Sequence, residues 1–261
     1  MSQSTPMLAA TRQAEISRLV EQFGSVRVAD LAVQFGVTEE TIRRDLDQLQ
    51  SEGRLRRIHG GAVALRRGTG YEGSFAERAV RNLAAKQAIA RQAVQLIQER
   101  DTLLLDASTT VLQVAKQLPD CELTVVTNSA QVIMELANRP HLTLVGLGGQ
   151  VRPNSFSFVG PVAERTLQSY RVDRLFLSCK GLSLEGIFES NEMEGHLKQL
   201  MMARANQVIL LADSAKINQT AFMLMSDLRQ IDVLITDSLA PSDFTQAVAE
   251  LGVDVIVVPE K

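Results

Sequence analysis

From Leu83 to the end of the chain, short apolar runs alternate with amphipathic stretches of helical period, and this alternation restricts the fold more than any other feature. The spacing predicts helix Leu83–Gln98, strand Thr102–Leu105, helix Val111–Leu118, strand Leu123–Val126, helix Ala130–Ala137 and strand Leu142–Val145. An extended stretch at Phe156–Val159 precedes helix Pro161–Tyr170, strand Arg174–Ser178, helix Glu192–Ala205 and strand Gln207–Leu211. Strand Val233–Thr236, helix Ser242–Leu251 and strand Val255–Val258 complete the series. Strands this apolar have no face for water, so the pattern implies an α/β domain with a largely parallel sheet covered on both sides.

Sheets of this kind bind ligands at the carboxyl ends of their strands. The residues there are Asp106-Ala107-Ser108-Thr109-Thr110, Thr127-Asn128-Ser129, Gly146-Leu147-Gly148-Gly149, Ser178-Cys179-Lys180-Gly181, Asp213-Ser214-Ala215-Lys216 and Thr236-Asp237. Ser108, Thr109 and Thr110 sit where a helix begins, so N–H groups, hydroxyls and the positive helix end favour a phosphate or carboxylate. Ordinary N-capping uses the same residue types. Gly148 and Gly149 either admit a ligand to the backbone or turn the chain, and Lys180 and Lys216 either neutralise an anion or are solvated. With Asp106, Asn128 and Asp213, the set favours a small anionic ligand, a phosphorylated sugar.

Asp106, Glu192 and Asp213 are also acid–base candidates, and a lysine beside a carboxylate suits aldose–ketose isomerisation. The sequence has no GxSxG elbow, P-loop lysine motif or GxGxxG after a strand. His59, His141 and His196 lack metal-ligand spacing, so no catalytic residue, metal or cofactor is expected. No apolar run approaches the ~18 residues of a membrane span, and the polar start MSQSTP is not a signal peptide. Cys121 and Cys179 have no CxxC partner and read as reduced thiols, which implies a cytoplasmic location.

The first quarter of the chain is different. Arg12–Glu21 carries Ile16, Leu19, Val20 and Phe23 at helical spacing up to Gly24, Val26–Val28 is an extended lead-in, and Ala29–Phe35 is a short helix with Leu31, Ala32 and Phe35 inward. Gly36 suits a left-handed helix end and Thr38 an N-cap, opening a third helix from about Glu39 to Ser51 that stops at Gly53. With Ile42 facing the core, Leu46 and Leu49 fall within about 40° of it at 100° per residue. Glu40, Thr41, Arg44 and Gln48 then point away, with Arg43 on a flank. This is the shape that enters a DNA major groove, although ordinary amphipathic helices share the pattern. Leu55 and Ile58, the Gly60-Gly61 turn and Ala62–Leu65 suggest a two-stranded wing, placing Arg54, Arg56, Arg57 and His59 against phosphates or the minor groove.

Charge supports the division. Residues 1–67 hold 10 Lys+Arg against 8 Asp+Glu, whereas the whole chain carries a net −3. Within 52–67, Arg54, Arg56, Arg57, Arg66 and Arg67 face only Glu52. A basic head on an acidic body fits a nucleic-acid binder whose body stays off the DNA. The expected division is a winged helix-turn-helix domain at 9–66, with the helix-turn-helix at about 26–45, a glycine- and charge-rich linker at 67–82, and the α/β domain at 83–261.

The sequence resembles the DeoR family of bacterial transcriptional regulators from about Arg12 onward. In the head the resemblance rests on Gly24-Ser25-Val26-Arg27-Val28-Ala29-Asp30-Leu31-Ala32, Val37-Thr38, Thr41-Ile42-Arg43-Arg44-Asp45-Leu46 and Ile58-His59-Gly60-Gly61-Ala62. In the body it rests on Leu105–Thr110, Val126–Ser129, Gly148-Gly149, Leu211–Lys216 and Ile235–Asp237. The resemblance implies a sensor domain similar in fold to ribose-5-phosphate isomerase and glucosamine-6-phosphate deaminase, where the segment matching Asp106–Thr110 helps bind the sugar phosphate. It implies a non-enzymatic regulator, a repressor of a sugar-utilisation operon, with double-stranded operator DNA, a phosphorylated-sugar effector and a second copy of the chain as partners. Thr38, Glu40, Thr41, Arg43 and Arg44 are the expected groove contacts. The alternative is a sugar-phosphate isomerase with a fused DNA-binding head. Departures from the family pattern are Glu39 and Glu40, which repel phosphate, Ala107 where many members have glycine, and Lys180 at a variable position.

Overall fold

The computed structural model describes residues 8–23, 25–63 and 72–259, without the side chains of 21–23. The expected helix end at Gly24, the inward Phe23 side chain, Ala64 and Leu65 of the wing, and Arg66-Arg67 lie outside this description. The chain divides into two compact units, Met1–Gly68 and Thr69–Lys261.

The first unit contains α1 (Ala9–Phe23), β1 (Ser25–Arg27), α2 (Val28–Phe35), α3 (Glu39–Ser51), β2 (Arg56–Ile58) and β3 (Gly61–Val63). Gly36 caps α2 in the left-handed region at φ 63°, and Thr38 caps α3 by accepting the Thr41 N–H at 3.2 Å. Ile16, Val20, Leu31, Ile42, Leu46 and Leu49 form its core. The wing has three strands rather than two, because β1 pairs with β3, in the order β1-β3-β2. The double glycine serves two purposes. Gly60 takes φ 77° in the turn, and a Cβ at Gly61 would lie 2.1 Å from the Val26 carbonyl oxygen on β1.

The second unit begins earlier than the sequence suggests. Within the expected linker, α4 (Phe75–Val80) is closed by a capping box of Ser74 and Glu77, and Phe75 is buried in the body's core. The linker reading therefore fails over 72–82. Glycines and charges surround a helix too short for its period to register, and Phe75 is its only deeply buried side chain. Then follow α5 (Leu83–Ala93), β4 (Thr102–Leu105), α6 (Thr109–Lys116), β5 (Leu123–Thr127), α7 (Ala130–Leu136), β6 (Leu142–Gly146), β7 (Gln150–Arg152), β8 (Ser157–Val159) and α8 (Pro161–Gln168). The remainder is β9 (Val172–Leu177), β10 (Gly181–Ser183), β11 (Gly186–Glu189), α9 (Glu192–Ala203), β12 (Ala205–Leu211), β13 (Met223–Ser226), β14 (Val233–Asp237), α10 (Ser242–Glu250) and β15 (Asp254–Val258).

A seven-stranded parallel sheet runs β15-β14-β12-β9-β4-β5-β6. Its central strands bury both faces. Leu103, Leu105, Phe176 and Ile209 join the core beneath α5 and α6, while Leu104, Leu175, Leu177 and Leu210 join the core beneath α8 and α9. Sequence order runs outward in both directions from β4 and β9, so their carboxyl ends form the switch point where ligands bind. Two smaller sheets flank it, the hairpin β7-β8 and the antiparallel β10-β11-β13. Among the described residues no helix is long and apolar enough to cross a membrane, and no group of His, Cys, Asp or Glu is arranged to hold a metal.

Candidate functional site

Two sets of side chains carry chemistry, one in each unit. On α3, Ile42 and Leu46 are buried while Arg43 and Arg44 are exposed and Thr41 is half-buried; the wheel sets Thr41 and Arg44 opposite Ile42 and Arg43 on the flank. Each arginine is engaged within its own helix. Arg43 Nη2 lies 2.6 Å from Glu39 Oε2, and Arg44 Nε lies 3.4 Å from Glu40 Oε1. Thr41 Oγ1 pairs with Thr38 Oγ1 at 2.9 Å. On the wing Arg57 Nε meets Asp47 at 3.0 Å and Arg54 meets Glu52 at 3.8 Å, while Arg56 and His59 are exposed. Glu39 and Glu40 thus suit the positive end of α3 and also hold its arginines.

At the switch point, Asp106 directs the chain. It is fully buried, accepts the Ser108 N–H through Oδ1 and the Ser178 N–H through Oδ2, both at 2.9 Å, and meets Lys198 Nζ at 3.0 Å. It therefore joins the loops after β4 and β9. Lys198 on α9 also donates to the Ser178 carbonyl at 2.7 Å and to Glu189 at 2.6 Å. Burial alone lowers the affinity of Lys198 for its proton, but Asp106, Glu189 and Glu194 reverse this and hold it firmly charged. Burial raises the Glu189 pKa in turn. These groups are structural ties, and sequence spacing gave no sign that Lys198 reaches Asp106.

Ser108 caps α6 by accepting the Val111 N–H at 3.1 Å. Thr109 and Thr110 follow in the first helical turn, and Thr110 Oγ1 is buried without a hydrogen-bond partner among the described residues. Lys216 Nζ donates to Ser178 Oγ at 2.6 Å and lies 3.9 Å from Asp213, whose Oδ1 accepts Asn82 Nδ2 at 2.8 Å. Lys180 is half-buried, and burial followed by the charge of Arg78 lowers its pKa.

The residue missing from the sequence reading is Lys86. It stands on the buried face of α5, 4 % exposed, and donates to Thr109 Oγ1 at 3.1 Å. Among the described residues it has no ion-pair partner. Burial lowers its pKa to about 7, and the positive charges of Lys216, Arg78 and Arg81 act in the same direction against the pull of Asp213. One lysine among the alanines of LAAKQAIARQA looks like any solvated helix charge until the fold turns that face inward.

Asn128 and Gly149 are tied to hairpin β7-β8, whereas a Cβ at Gly148 would meet no neighbour within 4 Å. Asn128 Nδ2 donates to the Phe158 carbonyl at 3.2 Å, and the main-chain carbonyl of Asn128 accepts the Phe158 N–H at 2.7 Å. Gly149 has φ 117°, and a Cβ there would lie 2.8 Å from the Val159 carbonyl, so the fold itself requires this glycine. Near the hairpin, Arg152 bridges Glu72 and Glu194, at 2.6 Å to each. Burial alone pushes the Glu194 pKa upward, but Lys198, Ser157, Ser155 and Arg152 together hold it below the ordinary value.

A family profile described as "DeoR-like helix-turn-helix domain" matches residues 12–67, and one described as "DeoR C terminal sensor domain" matches residues 81–238. The chain is 43% identical over 254 residues to the uncharacterized HTH-type transcriptional regulator YulB of Bacillus subtilis (strain 168), covering 97% of this chain and 98% of that one. It is 34% identical to a putative aga operon transcriptional repressor of Escherichia coli O157:H7, covering 95% and 94%. It is 37% identical to the L-fucose operon activator of Haemophilus influenzae (strain ATCC 51907 / DSM 11121 / KW20 / Rd), covering 87% and 92%. Among solved structures, ribose 5-phosphate isomerase A from Methanocaldococcus jannaschii aligns over 51% of this chain and 53% of its own, at 16% identity and a TM-score of 0.38.

Proposed function

The chain belongs to the DeoR family of transcriptional regulators, and from that premise we propose that it represses a carbohydrate-utilisation operon until a phosphorylated sugar occupies its sensor domain. The observation that carries the effector reading is Lys86, a buried ammonium without an ion-pair partner among the described residues, placed against Thr109 at the start of α6. A buried cation in that position is stabilised by an anion, and the N–H groups of the first turn point the same way. Lys216 and Lys180 add charge, and Ser108, Thr109 and Thr110 supply hydroxyls. Asp213 and Asn82 present groups suited to sugar hydroxyls. Asn128, Gly148 and Gly149 shape the neighbouring loops.

The carboxylates support sensing over turnover. Asp106 has both oxygens taken by backbone N–H groups, one of them shared with Lys198, which leaves it ill-suited to move a substrate proton. In the head, Thr38, Glu40, Thr41, Arg43 and Arg44 face the major groove, with Arg54, Arg56, Arg57 and His59 along the backbone. The active form is a homo-oligomer in the cytoplasm, since two-fold proteins match palindromic operators.

The test pairs a thermal-shift screen with a gel shift on the DNA upstream of the chain's own operon. Phosphorylated sugars should raise Tm where the parent sugars do not, and the stabilising compound should release the DNA. Stabilisation by unphosphorylated sugars alone refutes the anion site. Stabilisation without release or tightening on DNA refutes the regulatory link, and tightening makes the chain an activator. Conversion of a sugar phosphate to its isomer restores the enzymatic alternative.

A further inference from the structure

Helix α4 and the first turn of α6 are joined through one atom, the main-chain oxygen of Arg78. This carbonyl lies in the last turn of α4, where helix carbonyls lack intrahelical donors, and it accepts Lys86 Nζ at 2.5 Å and Thr109 Oγ1 at 3.4 Å. Both donors belong to the anion site proposed above, so a bound anion and the Arg78 carbonyl compete for them. We propose that an anion at the first turn of α6 takes Lys86 and Thr109 from the Arg78 carbonyl and thereby loosens the C-terminal turn of α4. The inference rests on the effector reading and adds its means of transmission.

The chemistry sets the direction of the exchange. The bond from the Lys86 ammonium to the Arg78 carbonyl is already charge-assisted, but Lys86 has only neutral acceptors at present, and an anionic oxygen adds the attraction of opposite charges, which is stronger in a buried site than in water. Arg78 and Arg81 raise the positive potential at Lys86, so an anion relieves repulsion that a carbonyl cannot. The other end of α4 stays anchored. Phe75 remains in the core with its ring 5.6 Å from that of Phe156, and Glu72 holds Arg152 at 2.6 Å. The Arg78 side chain is also held, by Glu72 at 3.2 Å and by the Gly73 and Asn154 carbonyls at 3.1 and 2.8 Å, so loosening is confined to the main chain from the Arg78 carbonyl onward. Because α4 is the first helix after residues 64–71, which join the two units, a signal travelling along the chain from the anion site toward the head passes through it.

Hydrogen–deuterium exchange on the full chain tests this, comparing inorganic phosphate with chloride at equal ionic strength and reading peptides over 76–82 and 109–116. Phosphate should raise Tm and speed exchange over 76–82 about tenfold, the factor expected for loss of one charged hydrogen bond, without speeding 109–116. In Lys86→Met, exchange over 76–82 should be fast without phosphate and indifferent to it. Thr109→Val, which keeps the shape and loses the hydroxyl, should move exchange the same way by less, and it serves if Lys86→Met does not fold. Stabilisation by phosphate with unchanged or slower exchange over 76–82 overturns the inference and leaves the effector reading intact. No stabilisation by phosphate or by any sugar phosphate overturns both.

Discussion

Arg12 of α1 and Asp45 of α3 form a buried ion pair, with Nε 2.5 Å from Oδ2, and Gln13 Nε2 donates to the other carboxylate oxygen at 2.9 Å. Asp45 interrupts the TIRRDL run on the inward side of the helix, where an aspartate is tolerated because Arg12 and Gln13 meet its two oxygens. The pair fixes α3 against α1 and so sets the angle at which Thr41, Arg43 and Arg44 are presented. Breaking a buried pair from one side costs about 3–5 kcal/mol, a large share of a small domain's stability. Asp45→Ala should unfold the first unit at lower denaturant while leaving the second unit's transition in place. Arg12→Met with Asp45→Leu should recover most of the loss, and a single variant with unchanged unfolding argues against the pair.

Arg44→Ala should weaken operator binding by about 1–3 kcal/mol and relax operator preference, as expected for one lost base contact in the groove. The thermal shift given by the effector should not change. Glu40→Gln tests the opposite direction. It frees Arg44 and removes a carboxylate, so binding to non-specific DNA should tighten. If Glu40 reads a cytosine, operator preference falls at the same time. Equal operator affinity for Arg44→Ala and parent at one salt concentration counts against placing this face in the groove.

Gly149→Ala should destabilise the sensor without touching ligand chemistry. A methyl group meets the Val159 carbonyl at 2.8 Å and the Ala163 N–H nitrogen at 3.2 Å, on a backbone at φ 117°. Strain of this kind costs on the order of 1–3 kcal/mol, readable as a lower denaturation midpoint. Gly148→Ala meets no neighbour within 4 Å and suffers only its φ of 65°, so it should cost less.

These glycines show how far the sequence could be read. Strand and helix order was legible because the central strands are apolar on both faces and several helices begin at a recognisable cap, such as Thr38, Ser108 or Ser129. What sequence could not supply was orientation across long separations. Gly149 faces Val159, Lys198 reaches Asp106 and Arg12 finds Asp45, all contacts that exist only after the sheet and helices have packed. Short elements were illegible for a simpler reason. The strands of β10-β11-β13 span three or four residues each, too few to establish a period of two, and α4 has six.

Thr109→Ala should separate sensing from DNA binding. The hydroxyl accepts Lys86 and points at the Arg78 carbonyl, while the helix cap belongs to Ser108 and survives the change. Operator affinity without effector should fall only as far as the loss of one of the Arg78 carbonyl's two donors loosens α4, and effector release of DNA should require at least tenfold more ligand, the equivalent of one lost charged hydrogen bond of about 1.4 kcal/mol. A variant with the parental effector dose response removes Thr109 from the site.

Lys86 makes effector binding dependent on pH in a predictable sense. Its pKa falls from 10.5 in the unfolded chain to about 7 in the fold because burial opposes the charge. Between those values the unfolded chain holds the extra proton, so its contribution to stability rises as pH climbs from about 7 toward 10.5 and is absent below 7. A bound phosphate dianion reverses the preference and restores the charged lysine. Binding above pH 7 must therefore take up a proton, and affinity should weaken as pH rises from 7 to 9. Calorimetry at pH 8 in buffers of differing ionisation enthalpy should report uptake approaching one proton per effector. Lys86→Met should remove that uptake and flatten the profile. If parent and variant bind with the same proton count, Lys86 does not meet the anion, and the excess charge of the pocket resides in Lys216 and Lys180 instead.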